Sequence, residues 1–88
     1  MTARTEALER AMLAIVHERG PERTACPSEA ARAVAGDHPD QWGPLMQPAR
    51  RIAVSLMKQG RIVITRKGRV VDPDEFKGVY RISQPRCD

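Results

Sequence analysis

The stretch `SLMKQGRIVITRKGR` (55–69) runs from a helix-like pattern through Gly60 into a β-branched run, and from there into Arg66, Lys67 and Arg69 around Gly68. Arg61 opens the run, and Gln47, Arg50, Arg51 and Lys58 precede it at helical spacing. Guanidinium and ammonium groups neutralise phosphate; Arg also offers a bidentate fork to guanine, and Gln does the same for adenine. Charge is distributed to match. The chain has 15 Lys+Arg and 11 Asp+Glu, a formal +4. Residues 1–42 hold five basic and seven acidic side chains (−2), whereas 43–88 hold ten and four (+6). A positive field confined to one half points to an anionic partner, although a solvated Arg-rich surface has the same composition.

Other reactive groups are sparse. His17, Cys26, His38 and Cys87 form no close pair of the kind that supplies zinc ligands. Two cysteines make no disulfide framework. Cys26 precedes Pro27 at a helix start, where a thiol pKa can fall, but a half-buried small apolar side chain is the simpler reading. Ser28 reads as a helix cap and His17 as a packed or surface histidine. With no glycine-rich phosphate loop and no Ser/His/Asp set on facing elements, the sequence predicts no enzyme, no metal and no cofactor.

These side chains need elements to hold them. At 88 residues the chain is one domain, 1–88, with an ordered core over about 5–83. Apolar residues make up 41% but aromatics only 3%, so the core is built from aliphatic residues. The longest apolar run, `AMLAIV`, is far too short to span a membrane, and `MTARTEALER` lacks a signal-peptide core. A cytoplasmic, non-membrane protein is expected. Leu8, Ala11, Met12, Ile15 and Val16 define a first helix over 5–19, with Thr5 as N-cap and Gly20-Pro21 as its stop. `TAC` before Pro27 is extended. `PSEAARAVAG` forms a second, short helix capped by Ser28, with Ala30, Ala33 and Val34 inward. `DHPDQWGPLMQP` (37–48) is irregular or a single turn capped by Asp40, with Trp42 as a packing anchor. A third helix over 46–59 buries Ala49, Ile52, Ala53, Leu56 and Met57. After Gly60, strand 61–65 faces Ile62 and Ile64 inward and Val63 outward, and pairs antiparallel with 79–83. Lys67-Gly68 permits a tight local turn between them. Leu8, Met12, Ile15, Ile52, Leu56, Ile62 and Ile64 are the predicted core.

Three helices followed by a hairpin with an extended loop resemble a winged helix-turn-helix domain, an α+β fold in which the hairpin is the wing. `SEAARAVAG` resembles the second helix, `QPARRIAVSLMKQG` the recognition helix and `RIVITRKGR…GVYRIS` the wing. `CPSEAAR` with `GRIVITRKGRVVDP` also resembles a small bacterial family of stand-alone winged helices of unassigned function. One departure is the connection between the second and third helices, which exceeds the three or four residues of a simple helix-turn-helix.

The resemblance implies a nucleic-acid-binding protein, with double-stranded DNA as partner, as in a transcriptional regulator. The third helix would enter the major groove through Gln47, Arg50, Arg51 and Lys58, and Arg66, Lys67 and Arg69 of the wing would touch phosphate. Asp72, Asp74 and Glu75 on the wing oppose this if they share that edge. The other reading is a protein–protein interaction module, its contact patch seeded by Val54, Val63 and Phe76. A homodimer is compatible with both.

Overall fold

The computed structural model describes residues 3–85. The junction at Gly60 sets the layout. Gly60 adopts φ 77°, its N–H donates to the Met57 carbonyl at 3.0 Å, and the Arg61 N–H donates to Leu56 at 2.9 Å. This paired closure satisfies the last helical carbonyls in a left-handed conformation that suits glycine. The chain thereby reverses from helix to strand with no crossover.

In chain order the elements are α1 (Ala3–Arg19), α2 (Pro27–Ala35), α3 (Pro39–Trp42), a 3-10 turn (Gly43–Leu45), α4 (Met46–Lys58), β1 (Val63–Arg66), β2 (Arg69–Val70) and β3 (Arg81–Ser83). The open sheet has the order β2-β1-β3. β1 pairs antiparallel with β3 at Val63↔Ser83, Ile64↔Ile82 and Thr65↔Arg81. It pairs with β2 at Thr65↔Val70 and Arg66↔Arg69. Lys67 (φ 52°) and Gly68 (φ 79°) make the two-residue turn between them, the twist-compatible form for a hairpin. The expected `TAC` extension survives as a single bridge. Ala25 donates to the Ile82 carbonyl at 2.7 Å and accepts from the Ile82 N–H at 2.9 Å, pinning the α1–α2 connection to β3.

The expected pairing of the strands and the three principal helices are all present, and α3 with its 3-10 turn fills the long connection. Local details differ where proline intervenes. Pro27 and Pro39 take the first helical positions, where a missing N–H costs nothing. The caps are therefore Cys26 and His38, not Ser28 and Asp40. The Cys26 N–H donates to Glu29 Oε2 at 2.8 Å, and His38 Nδ1 accepts from the Asp40 N–H at 3.2 Å. α1 begins at Ala3, so Thr5 lies within its first turn and is not its cap.

Leu8, Met12 and Val16, four residues apart on α1, meet Ala30 and Ala31 of α2, Ala49, Ile52, Ala53 and Leu56 of α4, and Ile62, Ile64 and Ile82 from the sheet. Ile15 is only half-buried, because Val16 continues the inward stripe. Ala31 is buried where Ala33 was expected; Ala33 projects to solvent, opposite the Pro27–Ala31–Val34 line. Met57 falls at the half-buried edge of its stripe. Trp42 is half-buried, with the Arg32 guanidinium 5.1 Å from its ring centroid and its Nε1–H donating to the Asp37 carbonyl at 3.2 Å. Arg19, ending α1, pairs with Glu29 in the first turn of α2. Burial alone would raise the Glu29 carboxyl, but the Cys26 amide and Arg19 outweigh it and hold the pKa below its ordinary value.

Truncating Leu56, 1% exposed, to Ala should cost about 2–5 kcal/mol in a chemical melt. Ile52→Ala should fall in the same range, and unchanged melts for both would mean that α4 does not bury this face.

Candidate functional site

α4 turns its inner stripe to the core, which leaves Gln47, Arg51, Ser55 and Lys58 exposed and Arg50 and Val54 half-buried. The expected cations thus separate by surroundings. Arg50 bends over the wing: its guanidinium carbon lies 3.9 Å from the Phe76 ring centroid, and Nη2 donates to the Phe76 carbonyl. A planar guanidinium stacks on a ring and hydrogen-bonds at its edge simultaneously, as an ammonium cannot. Phe76 is 4% exposed and meets Tyr80 edge-on, with centroids 5.1 Å apart. It is a core residue, not the seed of a contact patch.

The β2–β3 loop is shaped by its own acids. Asp72 Oδ1 accepts from the Asp74 N–H at 2.9 Å, and the Asp72 carbonyl accepts from Glu75 at 3.1 Å. That turn presents the Asp74 carboxylate to Lys58 Nζ at 2.8 Å. At least one wing acid therefore does share an edge with α4. Arg66 Nε donates to the Val79 carbonyl at 2.9 Å, and its guanidinium lies over Gly78, where a Cβ would stand 3.2 Å from Nη2. Arg61 leaves the wing altogether and pairs with Glu9 of α1 at 3.3 Å. Arg81 bonds Thr24 Oγ1 at 2.7 Å.

Charge and reach must be distinguished here. Arg50 and Arg66 bond neutral carbonyl oxygens, which offset none of their charge; Arg81 bonds Thr24 but also acts on the Glu29 carboxylate, helping to hold its pKa down. Lys58 and Arg61 face carboxylates, which cancel much of theirs. Among the seven expected contact residues, Gln47, Arg51, Lys67 and Arg69 are exposed and make no side-chain hydrogen bond or ion pair to another described residue. Gln47 and Arg51 lie one turn apart on α4; Lys67 is the first residue of the β1–β2 turn and Arg69 follows it at the start of β2.

No alternative chemistry gathers elsewhere among the described residues. No three His, Cys, Asp or Glu side chains cluster to hold a metal, and no helix is long and apolar enough to cross a membrane. Cys26 is half-buried, with Sγ 3.0 Å from Ser28 Oγ; Cys87 lies outside the described residues. His17 is exposed on α1. Val54 and Val63 are half-buried, and the large apolar residues that face solvent are Val70 (63%) and Val79 (83%). The roles of Phe76 and Asp74 were missed in the sequence. A lone Phe in an aromatic-poor chain was the available signal for burial; Asp74 had none, because its partner is 16 residues away.

Arg50→Ala should lower stability by about 1–3 kcal/mol, since a stacked cation and a charged hydrogen bond vanish together. Arg51→Ala should stay within about 0.5 kcal/mol. Equal effects in urea titrations would contradict this division of the pair. Tyr80 supplies a separate check. Its hydroxyl is buried with no hydrogen-bond partner among the described residues, and burial pushes its pKa up to about 12, Arg50 opposing only in part. Because the folded pKa exceeds the unfolded value of about 10, wild-type stability should drain away between those two values as pH rises. Tyr80→Phe removes that loss, so the variant should gain on wild type at about pH 11 relative to pH 8. A pH-independent difference would contradict it.

No curated protein matches the chain. Residues 5–85, which include every element of the sheet and all of α2 to α4, match the family described as Protein of unknown function (DUF3253). The chain is a member of that family, a three-helix bundle with a small open sheet, consistent with a winged helix.

Proposed function

We propose that this protein binds double-stranded DNA, with the outward face of α4 in the major groove and the β1–β2 turn against phosphate, as a transcriptional regulator would. The observation that carries the reading is the set of unengaged donors. Gln47 and Arg51 project one turn apart from a helix face that has no acid of its own, and Lys67 and Arg69 stand exposed at a two-residue turn, their side chains engaged by no described residue. Gln47 and Arg51 suit adenine and guanine edges. Lys67 and Arg69 suit phosphate. Arg50 and Arg66, expected to contact DNA directly, act instead by adding charge to the field while holding the wing in place. The domain fits a binding role and not an enzyme's. Two-fold pairing would strengthen binding by a module this small.

A protein-interaction role draws support from Val70 and Val79, both exposed on the wing. Without Phe76, however, the patch has no aromatic anchor of the kind that dominates interface energies.

Fluorescence anisotropy on mixed-sequence duplexes tests the reading. With Arg51, Lys67 and Arg69 each displacing a counterion, and Lys58 held back by Asp74, the log–log salt slope should be about −3. Lys67→Ala with Arg69→Ala should weaken binding to every duplex and flatten the slope by about 2. Arg51→Ala should cost about 1–3 kcal/mol, mainly at one base position. Absence of binding at low salt, or indifference to all three substitutions, would turn the assignment to a protein partner.

A further inference from the structure

We propose that the wing carries an intramolecular competitor for phosphate: the Asp74 carboxylate occupies Lys58 and must give way when an anionic polymer docks on α4. This rests on the DNA-binding reading above and adds a restraint that the protein imposes on its own affinity. Lys58 projects from the last turn of α4, on the same outward face as Gln47 and Arg51. Asp74 meets it at 2.8 Å, within contact distance of the atom a phosphate would approach.

The carboxylate is placed, not drifting. The Asp72 side chain accepts the Asp74 N–H at 2.9 Å, the Asp72 carbonyl closes the turn onto Glu75, and Arg50 clamps the next residue, Phe76, by its ring and carbonyl. The competitor is therefore mounted on a loop anchored at the foot of the same helix. Yet the pair itself is open to solvent, with side chains 53% and 64% exposed. An ion pair this exposed contributes little to folding and is screened by salt. It is strong enough to withhold one cation from a weak, nonspecific contact and weak enough to yield to a phosphate set in register by other contacts. Asp72 and Glu75, also exposed on this turn, add like charge to whatever approaches.

The test compares wild type, Asp74→Asn, Lys58→Ala and the double variant, each titrated with one mixed-sequence duplex at about 50 and 200 mM salt. Freeing one cation adds one phosphate contact, so the affinity advantage of Asp74→Asn over wild type should grow roughly threefold from the higher to the lower salt. Against the Lys58→Ala background the same substitution should give no such growth. Thermal midpoints should be alike for wild type and Asp74→Asn, which excludes a change in folding as the source. An equal gain in both backgrounds would mean that Asp74 acts only through the general field and would overturn the competitor. No gain, or a loss, on Asp74→Asn would overturn it too, while leaving DNA binding intact. If neither wild type nor Asp74→Asn binds the duplex at low salt, the DNA reading fails and the competitor with it.

Discussion

The wing keeps its place against α4 through Arg50. Residues 71–80, between β2 and β3, form no ladder of their own, so their path depends on what holds Phe76. Arg50 holds it twice, by the ring face and by the carbonyl, while Tyr80 closes the ring's other approach edge-on. With one Phe, one Tyr and one Trp in the chain, two of the three aromatic side chains are committed to this junction. On the same loop lie the reach of Asp74 to Lys58 and the line that Arg66 takes across Gly78 to Val79, while β3 is held separately by its ladder with β1 and its bridge to Ala25.

That constraint changes the meaning of the charge count. The second half of the chain is strongly basic as composition, but an arginine anchored to a carbonyl contributes potential without contributing a movable donor. A lysine beside a carboxylate contributes little of either at long range. In the proposed DNA-binding role, arginines anchored to carbonyls would supply a diffuse field, and a few projecting donors on α4 and at the β1–β2 turn would supply the contacts. Diffuse field favours encounter; projecting donors favour fit.

Much of the fold was legible because its signals are local. Gly60 ends a helix and starts a strand whatever the rest of the chain does, and `RIVIT` alternates on its own terms. The Lys67-Gly68 turn needs two positive φ angles; Gly68 supplies one freely and was the local signal, whereas Lys67 takes the other at a cost. Cap positions were misread where a proline stood beside a better-known capping residue: Ser28 and Asp40 each sit one place inside the helix that Pro27 or Pro39 begins. That the candidate cations sit on α4 and the β1–β2 hairpin was legible; which of them the fold itself engages was not. Arg50 and Arg51 are neighbours of the same type, and only the position of a loop 26 residues downstream decides which of them is a strut. Such long-range side-chain pairings leave no periodic trace in a single sequence.

The interface is tested most directly by a two-dimensional NMR titration that follows backbone amides together with arginine Nε and glutamine side-chain groups as a short duplex is added. The account predicts that the largest shifts fall at Gln47, Arg51, Lys67 and Arg69, with the Arg50 Nε resonance holding its position because it stays on Phe76. Shifts concentrated instead on the outer sheet face, at Val63, Val70 and Ser83, or a release of Arg50 from the wing, would contradict it.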